Sequence, residues 1–391
     1  MSKHPFSKGL PSKPFHTLPD TLEHKKARND ESMRRTDSWF TKETTTMLRH
    51  WQSRPKTSAD AVLADHPDIS ATKVVVSKFP EIPNTYGDIK VVILQLKTAT
   101  SSNLRPAIYF IHGDPFMADG PLDGISGFFN MIKQLDLVLL TIDYRLLDKH
   151  WCPTPLTDCY RCLQYVFKEA KNLRIDPTKI MIAGQFLGGG LAAATAIMAR
   201  DGVDMGLHGG GNLMAQCLIC PIIDDRLVIE TKQNSEDEGE FWTSKVWKKT
   251  VWDYYLRDIN SIPDHDTDRR LVADADPTDQ RILSGALRKE KVWRAYHRSQ
   301  HLRYVTPACA PDLYDLPPTW IDVGRDEVFR DQVMRYATRL MDAGNETELH
   351  ILKGDRSDFD SLHNPQTKTS QAYMSLRLDW IMSLLSWGGK E

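Results

Sequence analysis

Ile175-Asp176-Pro177-Thr178-Lys179-Ile180-Met181-Ile182-Ala183-Gly184-Gln185-Phe186-Leu187-Gly188-Gly189 is the stretch on which the fold turns. Residues 179–183 form a strand-sized apolar run. Gly184 follows as a breaker, and residues 187–199 are small and apolar, the composition of a tightly packed helix. A strand that enters a helix through a glycine turn is half of a strand–helix–strand unit. Such units build parallel sheets.

The same rhythm extends outward in both directions. Upstream lie strand-like runs at 107–111 and 137–142, then a helical pattern at 157–173 with Cys159, Leu163, Val166, Phe167 and Ala170 on one face. Downstream come strands at 217–220, 319–323 and 348–352, a helix at 331–343 and a last helix at 371–387. Val74 to Val76 and Ile89 to Leu96 read as the first two strands, with Tyr86-Gly87-Asp88 as the turn between them. The expectation is an α/β fold: a mostly parallel twisted sheet with helices on both faces. Residues 228–305 break the rhythm. They are rich in charge and tryptophan (Trp242, Trp247, Trp252, Trp293), show helical periods without strands, and read as an inserted helical lid. The chain divides accordingly into a flexible N-terminal arm (1–36), a cap segment (37–72), the first part of the core (73–227), the lid (228–305) and the second part of the core (306–391).

Composition narrows the function classes. Of 391 residues, 41% are hydrophobic and 26% charged, as in an ordinary globular protein. The net charge of -2 comes from well-mixed acids and bases, which removes the electrostatic case for nucleic acid or an anionic membrane. The best apolar run, 135–142, contains Asp136 and is far too short to span a bilayer. Residues 1–14 carry basic groups with no apolar core after them, unlike a secretory signal. A cytoplasmic location is the expectation. Cys159-x-x-Cys162 and Cys217-x-x-Cys220 have the spacing of zinc knuckles. The first pair falls on an amphipathic helix, however, and the second on a strand, where residues three apart face opposite sides. No metal and no cofactor are expected. Gly206-Leu207-His208-Gly209-Gly210-Gly211 follows a helix rather than a strand, has no lysine placed for phosphate, and reads as a loop.

Four further motifs fall in a telling order. Tyr109-Phe110-Ile111-His112-Gly113-Asp114-Pro115-Phe116 is similar to the His-Gly-Gly-Gly-Phe oxyanion motif of hormone-sensitive-lipase-like esterases in the α/β-hydrolase fold. Asp143-Tyr144-Arg145-Leu146 resembles that group's Asp-Tyr-Arg-Leu segment. The opening stretch resembles the strand and turn of its Gly-Asp-Ser-Ala-Gly-Gly nucleophile elbow. The segment Leu316-Pro317-Pro318 through Asp331 resembles the one carrying the catalytic acid, and Gly354-Asp355-Arg356-Ser357-Asp358-Phe359-Asp360 matches the family's Gly-x-x-His-Gly-Phe-Asp. The likeness covers roughly residues 73–388, and fungal members are the nearest in style.

The resemblance also marks what is missing. The elbow serine falls at Phe186, the histidine base at Ser357 and the acid at Glu327, with Asp326 beside it. Residues 180–199 contain no serine, so a small shift of register does not recover the nucleophile. Phenylalanine offers no nucleophilic atom, and serine is no general base near neutral pH. Pro115 lacks the N–H of the glycine it replaces, and the Asp114 carboxylate would repel an oxyanion. His363 and His350 are the nearby histidines; the first reads as solvated and the second as part of a strand. What the resemblance implies is a substrate pocket lined by His112, Gly113, Asp114, Phe116, Phe186, Leu187, Ser357 and Phe359, with Asp114, Glu327 and Asp358 as candidate acid/base groups. Members of the clan without a full triad are non-hydrolytic tailoring enzymes such as cyclases, or small-molecule receptors. The expected function is therefore a non-hydrolytic enzyme (cyclase, pericyclase, lyase or isomerase) on a small apolar natural-product intermediate. The alternatives are a receptor or inactive pseudo-hydrolase, and a hydrolase with a rewired site. A homodimer is also an open expectation.

Overall fold

The computed structural model describes residues 58–76, 89–98, 103–113, 120–146, 153–203, 210–225, 252, 255, 304–327, 329–353 and 368–387. The expected N-terminal arm and nearly all of the expected lid lie outside them. Eight strands form one sheet: β1 (Ile69–Val76), β2 (Ile89–Leu96), β3 (Arg105–Ile111), β4 (Val138–Asp143), β5 (Ile175–Gln185), β6 (Ala215–Ile219), β7 (Thr319–Gly324) and β8 (Thr347–Leu352). Their order is β1-β2-β4-β3-β5-β6-β7-β8. Strands β3 to β8 are parallel, while β2 runs antiparallel to both neighbours. A reading of parallel rhythm alone does not show this reversal. Only residues 77–88 separate β1 from β2, and a connection that short suits antiparallel pairing.

The helices are α1 (Ala59–Leu63), α2 (Phe129–Leu135), α3 (Thr154–Glu169), α4 (Leu187–Arg200), α5 (Arg330–Asp342) and α6 (Lys368–Trp387). α2 went unread in the sequence because its seven residues are too few to display a helical period. α3 begins three residues before the expected position, with Pro155 preorganising its first turn. β1 starts at Ile69, ahead of the apolar triplet that revealed it, because Ile69–Lys73 pair along β2 despite their polar outer face.

Alternation along each strand feeds two cores. From β3, Tyr109 and Ile111 enter one core with α3, α4 and α5, while Ile108 and Phe110 enter the other with α2 and α6. Both sides of the central strands are dry, which explains their continuous apolar runs. Cys217 belongs to the second core and Cys220 to the first, so this pair cannot share one tetrahedral ion.

Candidate active site

The parallel strands bring four chain segments to one end of the sheet: His112–Gly113 after β3, Gln185–Leu187 after β5, Cys220–Asp225 after β6 and Arg325–Glu327 after β7. Side chains at the carboxyl ends of parallel strands face a common crevice, which is where α/β folds place their sites.

The turn between β5 and α4 is the sharpest of these. Phe186 has φ 50° and ψ -117°, a left-handed backbone for a residue that carries a large side chain. Holding such a conformation costs on the order of 1–3 kcal/mol, so the surroundings must enforce it. Two features do so. The Phe186 N–H donates to the Ile219 carbonyl at 3.0 Å, and its own carbonyl accepts from Ile222 at 2.9 Å and from Gly190 at 3.1 Å. The packing around the turn also admits no side chains. A Cβ on Gly184 would sit 2.1 Å from the Gly188 carbonyl oxygen, and one on Gly188 would sit 2.2 Å from that of Ile111. Phe186 itself is 6% exposed, and Leu187 is buried beside it at the start of α4. The N–H groups of this first helical turn have no intrahelical acceptor.

Gly113 packs directly against the turn: its added Cβ would lie 2.7 Å from the Gly188 nitrogen. His112 is wholly buried and stacks on Tyr144 with ring centroids 4.4 Å apart. The Tyr144 hydroxyl donates to the His112 carbonyl at 3.0 Å. Arg145 is clamped through its backbone N–H and its guanidinium to the buried Asp158 of α3. The Asp-Tyr-Arg-Leu segment thus braces the loop after β3 from behind.

After β7 the arrangement is looser. Arg325 Nε and Nη2 each donate to its neighbour Asp326 at 3.0 Å, in solvent. That hydrogen bond holds the Asp326 carboxyl below its usual value. Glu327 is half-buried; its N–H donates to the Gly324 carbonyl, and its carbonyl accepts from Arg330. His350 stacks on Trp320 at 3.8 Å and lies 3.3 Å from Glu348, in the body of β8 rather than at the crevice. Asp114, Phe116, Ser357, Asp358, Phe359 and His363 lie outside the described residues.

The structure adds residues that the sequence did not single out. The end of β6 and the chain leaving it carry two of the three backbone partners of Phe186, Ile219 and Ile222, and Pro221 fills the space that Gly189 leaves open. Asp322, in the middle of β7, is 1% exposed and pairs with Arg377 of α6 at 2.8 Å. An acid inside the apolar run Trp320-Ile321-Asp322-Val323 was the available signal. Asp224, Asp225 and Cys309 place their donor atoms within 4.8 Å of one another, with Cys309 Sγ 3.5 Å from Asp225 Oδ1. Burial pushes the Cys217 thiol up to about 12 and raises Cys159 and Cys162 well above their ordinary value, so these are inert structural thiols. A cavity of about 380 Å³ lined by Tyr160, Gln164, Phe167 and Arg200 lies at the far end of α4 from Phe186. Fourteen helical residues, roughly 21 Å, separate it from the turn, so it is not the crevice described above.

Comparison with known proteins places this geometry. A family model described as the alpha/beta hydrolase fold matches residues 108–273 and 262–360. The chain is 24% identical over 374 residues to arylacetamide deacetylase of Mus musculus, covering 88% of this chain and 85% of the relative. It is 31% identical over 323 residues to arylacetamide deacetylase-like 4 of Homo sapiens, covering 72% and 73%. Among solved structures, a bacterial heroin esterase superposes with a TM-score of 0.62 at 25% identity, over 83% of this chain and 88% of that one. Carboxyl esterase 2 of the mycorrhizal fungus Tuber melanosporum superposes with a TM-score of 0.61 at 17% identity, over 88% and 98%, a likeness of fold. With its strained strand–turn–helix at Phe186, its braced loop after β3 and these relatives, the chain belongs to the alpha/beta hydrolase family, in the hormone-sensitive-lipase-like esterase group.

Proposed function

We propose that this chain is a non-hydrolytic enzyme on an esterase scaffold, a cyclase, pericyclase, lyase or isomerase acting on a small apolar natural-product intermediate in the cytoplasm. One observation carries the reading: a buried phenyl ring sits at the apex of the strained turn where an esterase of this group needs a nucleophilic oxygen. In serine hydrolases, loss of the nucleophile or of its base alone lowers turnover by on the order of a million-fold. The ring replaces the nucleophile with an apolar wall. His112, Gly113, Asp114, Phe116, Leu187, Ser357 and Phe359 complete the pocket, and Asp114, Glu327 or Asp358 moves the proton. A pericyclic or cyclising step asks little more of the protein than a held reactive conformer. No cofactor, metal or nucleic acid enters this scheme.

The test is incubation of the full chain with a panel of polyketide and terpenoid intermediates, followed by mass spectrometry, beside a short-chain nitrophenyl ester. The expected result is a new isomeric or cyclised product from one intermediate and no ester turnover above buffer. Ester turnover by the wild type overturns the proposal in favour of a rewired hydrolase. Binding without conversion overturns it in favour of a receptor. In parallel, F186S combined with S357H is expected to bring measurable nitrophenyl-ester hydrolysis to the scaffold.

A further inference from the structure

A carboxylate in the middle of a strand covered on both faces needs a partner, because an isolated charge there is costly to bury. Asp322 has three. Its Oδ2 accepts from Arg377 Nη2 of α6 and from Trp320 Nε1, both at 2.8 Å. Its Oδ1 accepts from the Cys220 N–H at 3.2 Å, a donor that also reaches the Asp322 carbonyl at 2.9 Å. The third partner reaches furthest. Cys220 is the residue at which the chain leaves β6, and its φ of 45° is left-handed although it is not glycine. The turn that follows is the bed of the elbow. Ile219 accepts the Phe186 N–H, Ile222 donates to the Phe186 carbonyl, and Pro221 occupies the space beside Gly189. The Ile222 carbonyl lies so near Gly190 that an added Cβ would approach it to 2.2 Å.

We propose that the Asp322–Arg377 ion pair is a positioning device for the elbow: it fixes the exit turn of β6, on which the strained backbone of Phe186 rests. Stability alone is a poor account of the pair, because an apolar pair of similar volume stabilises a core at least as well. What a charged group adds is direction. Arg377 orients the carboxylate, and the carboxylate gives the Cys220 N–H a second acceptor that holds the left-handed turn. The role is independent of the reaction carried out in the pocket. It makes the C-terminal helix part of the site's support although none of its residues is placed at the crevice.

Amide hydrogen exchange on the full chain tests this, read at Phe186, Gly190 and Ile222 and at the β1–β2 pair as an internal reference. Arg377→Met and Asp322→Asn are expected to speed exchange at the three elbow amides by roughly tenfold or more relative to the reference, the signature of a local opening. Leu340→Ala, a core change on α5 outside the network, is expected to move all amides in step with global stability. Arg377→Lys, which keeps the charge, is expected to return the elbow amides most of the way to wild type. Should the single variants fail to fold, the pair Asp322→Leu with Arg377→Leu removes both charges together, and fast exchange confined to the elbow is again expected. The proposal is overturned if the elbow amides of these variants shift only in step with global stability, as in Leu340→Ala.

Discussion

The two ends of the candidate crevice are built to different tolerances. At the turn after β5, Gly113, Gly184, Gly188 and Gly190 lie so close to neighbouring backbone that none has room for a Cβ. After β7, Arg325 and Asp326 pair with each other in solvent, and Glu327 is half-buried. The first region is a scaffold whose main chain is held by other main chain. The second is a surface on which side chains find local partners. At the apex the two kinds of support meet: the backbone of residue 186 is held by main-chain hydrogen bonds, and its side chain is buried in the apolar core. Main-chain contacts thus hold the shape of the turn, with a phenylalanine at its apex.

This contrast can be broken in three places. The largest effect is expected from Gly188→Ala. Its methyl group would lie 2.2 Å from the Ile111 carbonyl oxygen and 2.3 Å from that of His112, both immovable without shifting β3. A loss of about 3 kcal/mol, the upper part of the overpacking range, is expected in urea unfolding. A change within experimental error would mean that the turn is far more plastic than its spacing indicates.

An intermediate effect is expected from alkali. Cys217 sits on β6 beneath the elbow, and burial raises its thiol from 9.0 to about 12. The folded state therefore favours the neutral thiol. Its contribution is fully present below 9.0 and is lost as pH climbs from 9.0 through about 12. Urea midpoints measured across that window should fall more steeply for wild type than for Cys217→Ala. Equal slopes would show that the thiol is not the group being titrated.

The smallest effect is expected from Asp326→Asn. It removes an exposed ion pair between adjacent residues, and pairs of that kind contribute little. The unfolding midpoint should not move measurably. A clear drop would place Asp326, rather than Glu327, in the support of the crevice.

Much of this was legible in one dimension. The apolar runs of β3, β4, β5 and β7 announced strands buried on both faces, and the small residues after Gly184 announced the helix packed against them. The order of four motifs identified the family, and the spacing between glycines located Phe186. The reversal of β2, the short helix α2 and the braces behind the crevice were not legible, since each depends on partners far apart in sequence. Tyr144 meets His112 from 32 residues away, and Arg377 meets Asp322 from 55.

By itself the sequence determined which backbone this chain can adopt and which residue stands at its sharpest turn, because periodicity, glycine placement and residue identity are local properties. Only the tertiary structure decided that Phe186 is held in a left-handed turn by the chain leaving β6. It also decided that an acid in β7 and an arginine in the last helix share one buried hydrogen-bond network. Those are contacts between segments, and no short window of residues contains both partners.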